Sequence, residues 1–173
     1  MKKELINSAT KYRLTCKYTN KYSILQYLTQ LMNIQFPSYQ PQIKEENKKE
    51  YIFDAIRKQW IRLTPEEWVR QNFINYLIIE KKYPASLIAI EKEIKVGEMR
   101  KRFDILVYKE SIPWLIVECK ELSTPINDAV AKQILTYNIQ LQVPYLIITN
   151  GNNTKGLLIS NGQYETINEI PLY

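Results

Sequence analysis

Asp104, Glu118 and Lys120 have the residue types from which a phosphodiester-cleaving site can be built. They lie in RFDILVYKESIPWLIVECK, residues 102–120. Asp104 sits in one apolar run; Glu118 and Lys120 end a second, with a turn signal between the runs. Side chains alternate along a strand, so Glu118 and Lys120 are expected on one face. A hairpin or short crossover would bring Asp104 beside them. Phosphodiester hydrolysis needs an activated water, stabilisation of a pentacoordinate transition state and help for the leaving oxygen. Hard oxygen ligands hold Mg²⁺, with Mn²⁺ as an alternative, and leave coordination positions for water and phosphate. Asp104 and Glu118 are the expected ligands, with the backbone carbonyl of Cys119 as a third oxygen. Lys120 would orient the attacking water or stabilise developing negative charge. A solvated strand edge is the plain alternative for an acid and an E-x-K pair. The apolar surroundings favour a site, because charge at the margin of a buried strand is costly without partners, metal or function.

Composition narrows the chemistry. The 173 residues suffice for one domain with a real core. There is no histidine, which removes Ser-His-Asp and Cys-His catalysis and every histidine-based zinc site. Two cysteines, Cys16 and Cys119, make neither a zinc cluster nor a disulfide framework and fit a reducing cytosol. Cys119 should point opposite Glu118 and act as a small buried residue, not a nucleophile. A net charge of +6 allows a polyanionic partner without requiring one. No apolar run is long enough for a transmembrane helix, and the start does not read as a secretory signal.

The elements that must position these residues follow from periodicity and punctuation. Residues 1–33 read as a helical extension, with Ile24, Tyr27, Leu28, Leu31 and Met32 as an apolar stripe. Residues 34–173 form the main domain. KEYIFDAIRKQWIRL suggests a hairpin turning near Asp54 to Lys58. Thr64-Pro65-Glu66-Glu67 starts a helix: Thr64 as N-cap, Pro65 at the first position, Glu67 placed for a capping box. That helix should reach about Lys82 and bury Phe73, Ile74, Leu77 and Ile78. Strands are expected over 86–96, 100–108 and 113–119, the first two joined at Gly97-Glu98 and the third central. A helix over 126–142, a strand ending at Asn150-Gly151, and a closing pair of edge strands complete an α/β layered domain. Trp60, Trp68 and Trp114 are expected in the core or at its boundary.

TPEEWVRQNFINYL, RKRFDILVY, LIVECKE, AKQILTYN and VPYLIITNG, in this order, resemble the N-terminal nuclease domain of type I restriction enzyme R subunits, within the PD-(D/E)xK nuclease superfamily. The resemblance covers residues 64–151 and extends weakly back to about residue 33. It implies a restriction-endonuclease-like fold with a mixed central sheet flanked by helices. It also implies Mg²⁺-dependent DNA cleavage in a prokaryotic cytoplasm, alongside other restriction-modification subunits or a separate translocase. Residue by residue, it makes Asp104 the metal-binding Asp, Glu118 the second acid and Lys120 the catalytic lysine. Phe103 stands where the superfamily name expects proline.

An acid on the first helix often joins such a site. Glu67 is the better candidate and Glu66 the alternative, while Glu67 could equally serve as a cap alone. Gln133 and Tyr137 match the family's Q-x-x-x-Y pattern and share a helical face, from which they could reach DNA. An amphipathic helix with a boundary tyrosine is the other reading. Arg100 and Arg102 share a face with Asp104 and could contact phosphate, or pair with Glu91 and Glu93 on the neighbouring strand. The chain has no Walker A motif. It is therefore expected to be a standalone relative, a fragment or a truncated product, unable to translocate DNA on its own. A catalytically silent nuclease-fold module that binds DNA or a partner subunit is the alternative function.

Overall fold

The computed structural model describes residues 31–96 and 99–173. The helical reading of residues 1–30 and the Gly97-Glu98 turn lie outside the described residues. β1 (Ile43–Glu46), β2 (Lys49–Asp54) and β3 (Gln59–Arg62) make a three-stranded antiparallel sheet. The β2–β3 hairpin turns where Asp54 accepts the backbone N–H groups of Ile56 and Arg57, each at 2.8 Å. This is the turn that the sequence places between Asp54 and Lys58; β1, short and largely charged, is not legible there.

A six-stranded sheet follows, with β4 (Ile88–Val96), β5 (Met99–Lys109), β6 (Ile112–Cys119), β7 (Tyr145–Thr149), β8 (Thr154–Ser160) and β9 (Gln163–Ile167) in sequential order. All neighbours are antiparallel except β6 and β7. A parallel pair needs a crossover, here supplied by α2 (Asp128–Leu141). The expected mixed sheet with helices is what the chain forms.

The two helices cover opposite faces. α1 (Pro65–Ile79) packs Val69, Phe73, Ile74 and Leu77 against Ile105, Val107, Leu115, Val117 and Ile147. α2 packs Val130, Ala131, Ile134 and Leu135 against Leu106, Ile116, Leu146 and Ile148. Alternation along β6 thus divides its side chains between two cores, which explains its apolar character on both faces. α1 begins as expected: the Thr64 hydroxyl accepts the Glu67 N–H at 3.1 Å and Pro65 opens the helix. Tyr76 joins the buried face, and Ile78 is only half-buried.

Met32, at the end of the expected N-terminal extension, is buried in the α1-side core and donates its N–H to Thr154 O at 2.9 Å. Its side chain reaches Gly156. A Cβ at Gly156 would stand 2.2 Å from Met32 Cε, 2.8 Å from Ile147 Cδ1 and 2.9 Å from Ile167 Cγ1. Gly156→Ala should therefore overpack this junction and destabilise the fold by about 1–3 kcal/mol, read from denaturant unfolding. Trp60 and Trp68 are surface-exposed boundary residues, and Trp114 stacks among Tyr83, Tyr145 and Tyr173. Among the described residues, no helix is long and apolar enough to cross a membrane.

Candidate active site

β5 and β6 stay paired only as far as Ile105 and Val117 at this end of the hairpin. Beyond that point the Cys119 N–H has no β5 carbonyl to meet, and Asp104 Oδ2 accepts it at 2.8 Å. The acid thus fills the gap where the two strands part. Strict alternation fails here: Phe103 and Leu106 join the α2-side core, Ile105 joins the α1-side core, and Asp104 reaches Arg70 on α1. The β4–β5 register passes from Ile90↔Ile105 to Lys92↔Phe103, and in the gap Glu91 has a positive φ of 48°. A non-glycine residue in that conformation carries a backbone cost and is uncommon within a strand.

Glu118 and Lys120 meet as alternation predicts, with Lys120 Nζ donating to Glu118 Oε1 at 2.7 Å. Glu118 is 5% exposed. Burial, and then the charge of Asp104, raise its pKa above the ordinary carboxylate value, while Lys120 opposes the rise. For Lys120, burial works against the charged form. The hydrogen bond and charge of Glu118 outweigh that effect and raise its pKa, so it remains an ammonium at neutral pH. Cys119 is fully buried; burial and Asp104 push its thiol well above the usual range, which leaves it unsuited to nucleophilic attack.

The two acids of the first helical turn have different surroundings. The Glu67 carboxylate is buried and accepts from Arg57 Nη2 at 2.9 Å, Gln71 Nε2 at 2.8 Å and Arg70 Nη1. Glu66 is more exposed. Burial and then the charge of Asp104 raise its pKa, and Glu66 in turn raises those of Glu118 and Lys120. Glu66 therefore shares the field of the Asp104–Glu118–Lys120 group, while Glu67 is tied up in a neighbouring ion network.

Arg57 and Arg70 organise that network. Arg57 holds Asp54 at 2.6 Å, Glu67 at 2.9 Å and Glu91 at 2.9 Å. Arg70, 4% exposed, meets Glu67, Asp104 at 3.0 Å, Glu66 at 3.3 Å and Glu91 at 3.7 Å. Burial disfavours its charge, but Asp104 and Glu67 more than reverse that effect and raise its pKa. Neither arginine is marked by the E-x-K pattern. The i,i+4 spacing of Glu66 and Arg70 on a predicted helix was the available signal.

Arg100 and Arg102 are exposed on β5. Arg100 pairs with Glu93 at 3.1 Å, and Arg102 approaches Glu91 at 4.0 Å. Gln133 and Tyr137 lie on α2, and their side chains are outside the described residues. Among the described residues, no three or more His, Cys, Asp or Glu are grouped so as to hold a metal ion.

Residues 65–171 match the family model of the type I restriction enzyme R protein N terminus. The chain belongs to this family. The match begins at Pro65, the first residue of α1, and takes in Glu66, Glu67, Arg70, Glu91, Asp104, Glu118 and Lys120. Asp54 and Arg57 precede it. Among solved structures, this chain is similar to a fragment assigned to the HsdR subunit of a type I restriction enzyme from Vibrio vulnificus YJ016. The identity is 19% and the TM-score 0.48, covering 63% of this chain and 24% of that one. The chain thus spans about a quarter of that fragment's length. A comparison with curated proteins returned no match.

Proposed function

We propose that this chain is a Mg²⁺-dependent DNA endonuclease domain. The observation that carries the reading is the Asp104 carboxylate on the Cys119 N–H, between Glu118 and its partner Lys120, where β5 and β6 part. The donor set fits a hard divalent cation. Asp104 and Glu118 supply carboxylate oxygens of the hard type that such an ion takes. Asp104 also pushes the pKa of Glu118 upward, a repulsion that a bound cation would relieve. Asp104 and Glu118 would hold Mg²⁺, or Mn²⁺ in its place, with the Cys119 carbonyl as a third oxygen. When bound, the ion polarises the phosphate and acidifies water.

The remaining residues have complementary tasks. Lys120, held as an ammonium, stabilises negative charge developing on the phosphate or orients the attacking water. Glu66 is the helix acid whose charge reaches the site; Glu67 supports it through Arg57 and Arg70. Arg100 and Arg102, with Gln133 and Tyr137 on α2, contact the DNA backbone. The natural setting is a prokaryotic cytoplasm, with other restriction subunits or a separate translocase delivering DNA.

The second reading is a silent DNA- or partner-binding module, in which the contacts of Arg70 and the Cys119 N–H to Asp104 only brace the strand end. Mn²⁺ titration and plasmid nicking with the wild-type chain and Asp104→Asn separate the two. The endonuclease reading expects Mn²⁺ binding and Mg²⁺-dependent nicking, both lost in the variant. DNA binding unaffected by the substitution, with no nicking by either chain, would establish the silent module.

A further inference from the structure

We infer that Arg70 is a positioning residue, which fixes the Asp104 carboxylate for cation binding by tying it to α1. This inference rests on the metal-site reading of Asp104 and Glu118. Two fixed donors hold Asp104: Arg70 Nη2 on Oδ1 at 3.0 Å and the Cys119 N–H on Oδ2 at 2.8 Å. The first comes from α1 and the second from β6, so the carboxylate is clamped between two elements of the core. The same guanidinium uses Nη1 on Glu67 and its other Nη2 contact on Glu66. Glu67 is itself anchored by Arg57 and Gln71, so Arg70 cannot swing without breaking a buried ion network.

The geometry is not that of a residue optimised for stability alone. Arg70 Nε is buried and has no hydrogen-bond partner among the described residues. An unsatisfied buried donor is costly, yet the side chain is held where its two terminal nitrogens serve separate carboxylates. Only a planar fork can do this; a lysine ammonium offers the charge without the two fixed directions.

Arg70→Lys in the full chain separates positioning from simple charge balance. With positioning, hydrogen exchange of the Cys119 amide accelerates, because Asp104 is released, while the Ile116 and Val117 amides keep their protection. Mn²⁺ affinity, measured by electron paramagnetic resonance, falls about tenfold or more, as for other residues that orient a metal ligand. Unchanged Cys119 exchange, or unchanged Mn²⁺ affinity in a variant whose wild-type parent binds Mn²⁺, overturns the inference. Absence of Mn²⁺ binding by the wild-type chain is a different failure: it sinks the metal-site reading, and the inference with it.

Should Arg70→Lys unfold, the wild-type chain provides a second measurement. The Nη resonances of Arg70 should shift on Mg²⁺ addition, and should not do so in Asp104→Asn. Nη resonances indifferent to saturating Mg²⁺ likewise overturn the proposal.

Discussion

Lys120→Ala should reduce Mg²⁺-dependent plasmid nicking by about 10²–10³-fold, the usual consequence of removing one preorganised donor from a charge-stabilising site. Lys120 lies at the strand end, with its Nζ 2.7 Å from Glu118 Oε1. Its side chain is half-buried and outside both hydrophobic cores, so its loss should leave the fold standing. The ammonium is held charged by Glu118 despite burial, which suits it to stabilise a phosphate oxygen and not to remove a proton. Nicking rates on supercoiled plasmid, with melting curves to verify folding, provide the check. A variant that cuts at the wild-type rate removes Lys120 from the chemistry.

Glu67→Ala should have the largest effect on stability among the charged residues, about 3–5 kcal/mol, because it strands buried cations that its carboxylate now neutralises. Glu67 joins Arg57 from the β2–β3 turn to Arg70 on its own helix, and Gln71 completes its shell. Arg57 and Arg70 both continue to Glu91, so the loss should spread from α1 to the three-stranded sheet and β4. Glu66→Ala should behave in the opposite way: near-normal unfolding in urea, with reduced nicking, because Glu66 is only half-buried, meets Arg70 at a long 3.3 Å, and acts on Glu118 and Lys120 through space. Equal urea midpoints for the two variants would show that the buried network contributes little to stability.

These two adjacent acids mark how far local sequence can be read. Thr64, Pro65 and the acidic first turn announce α1, and the observed N-cap is the one that the spacing requires. Which acid faces the site depends on where the helix sits on the sheet. The family resemblance favoured Glu67 over Glu66 as the helix acid, with capping as its other reading; packing commits the Glu67 carboxylate to Arg57 and Arg70 and leaves Glu66 in the field of Asp104. Glu91 lies between Arg102, at 4.0 Å, and Arg70, at 3.7 Å, and Arg70 reaches Asp104, while Arg100 pairs with Glu93. The break in alternation just after Asp104 leaves no trace in the hydrophobic pattern, because Phe103, Ile105 and Leu106 are apolar whichever core they enter.

By itself, the sequence determined the main strands and the two α-helices of residues 50–167, the central place of β6, and the common face of Glu118 and Lys120. Each follows from a local period, a cap or a turn, and such signals operate over a few residues. Only the tertiary structure decided that Asp104 would cap the Cys119 amide where two strands part, and that Arg70, 34 positions earlier in the chain, would hold its other oxygen. No local period encodes that contact. It exists because α1 packs one apolar face on the six-stranded sheet and brings its charged first turns over the strand ends.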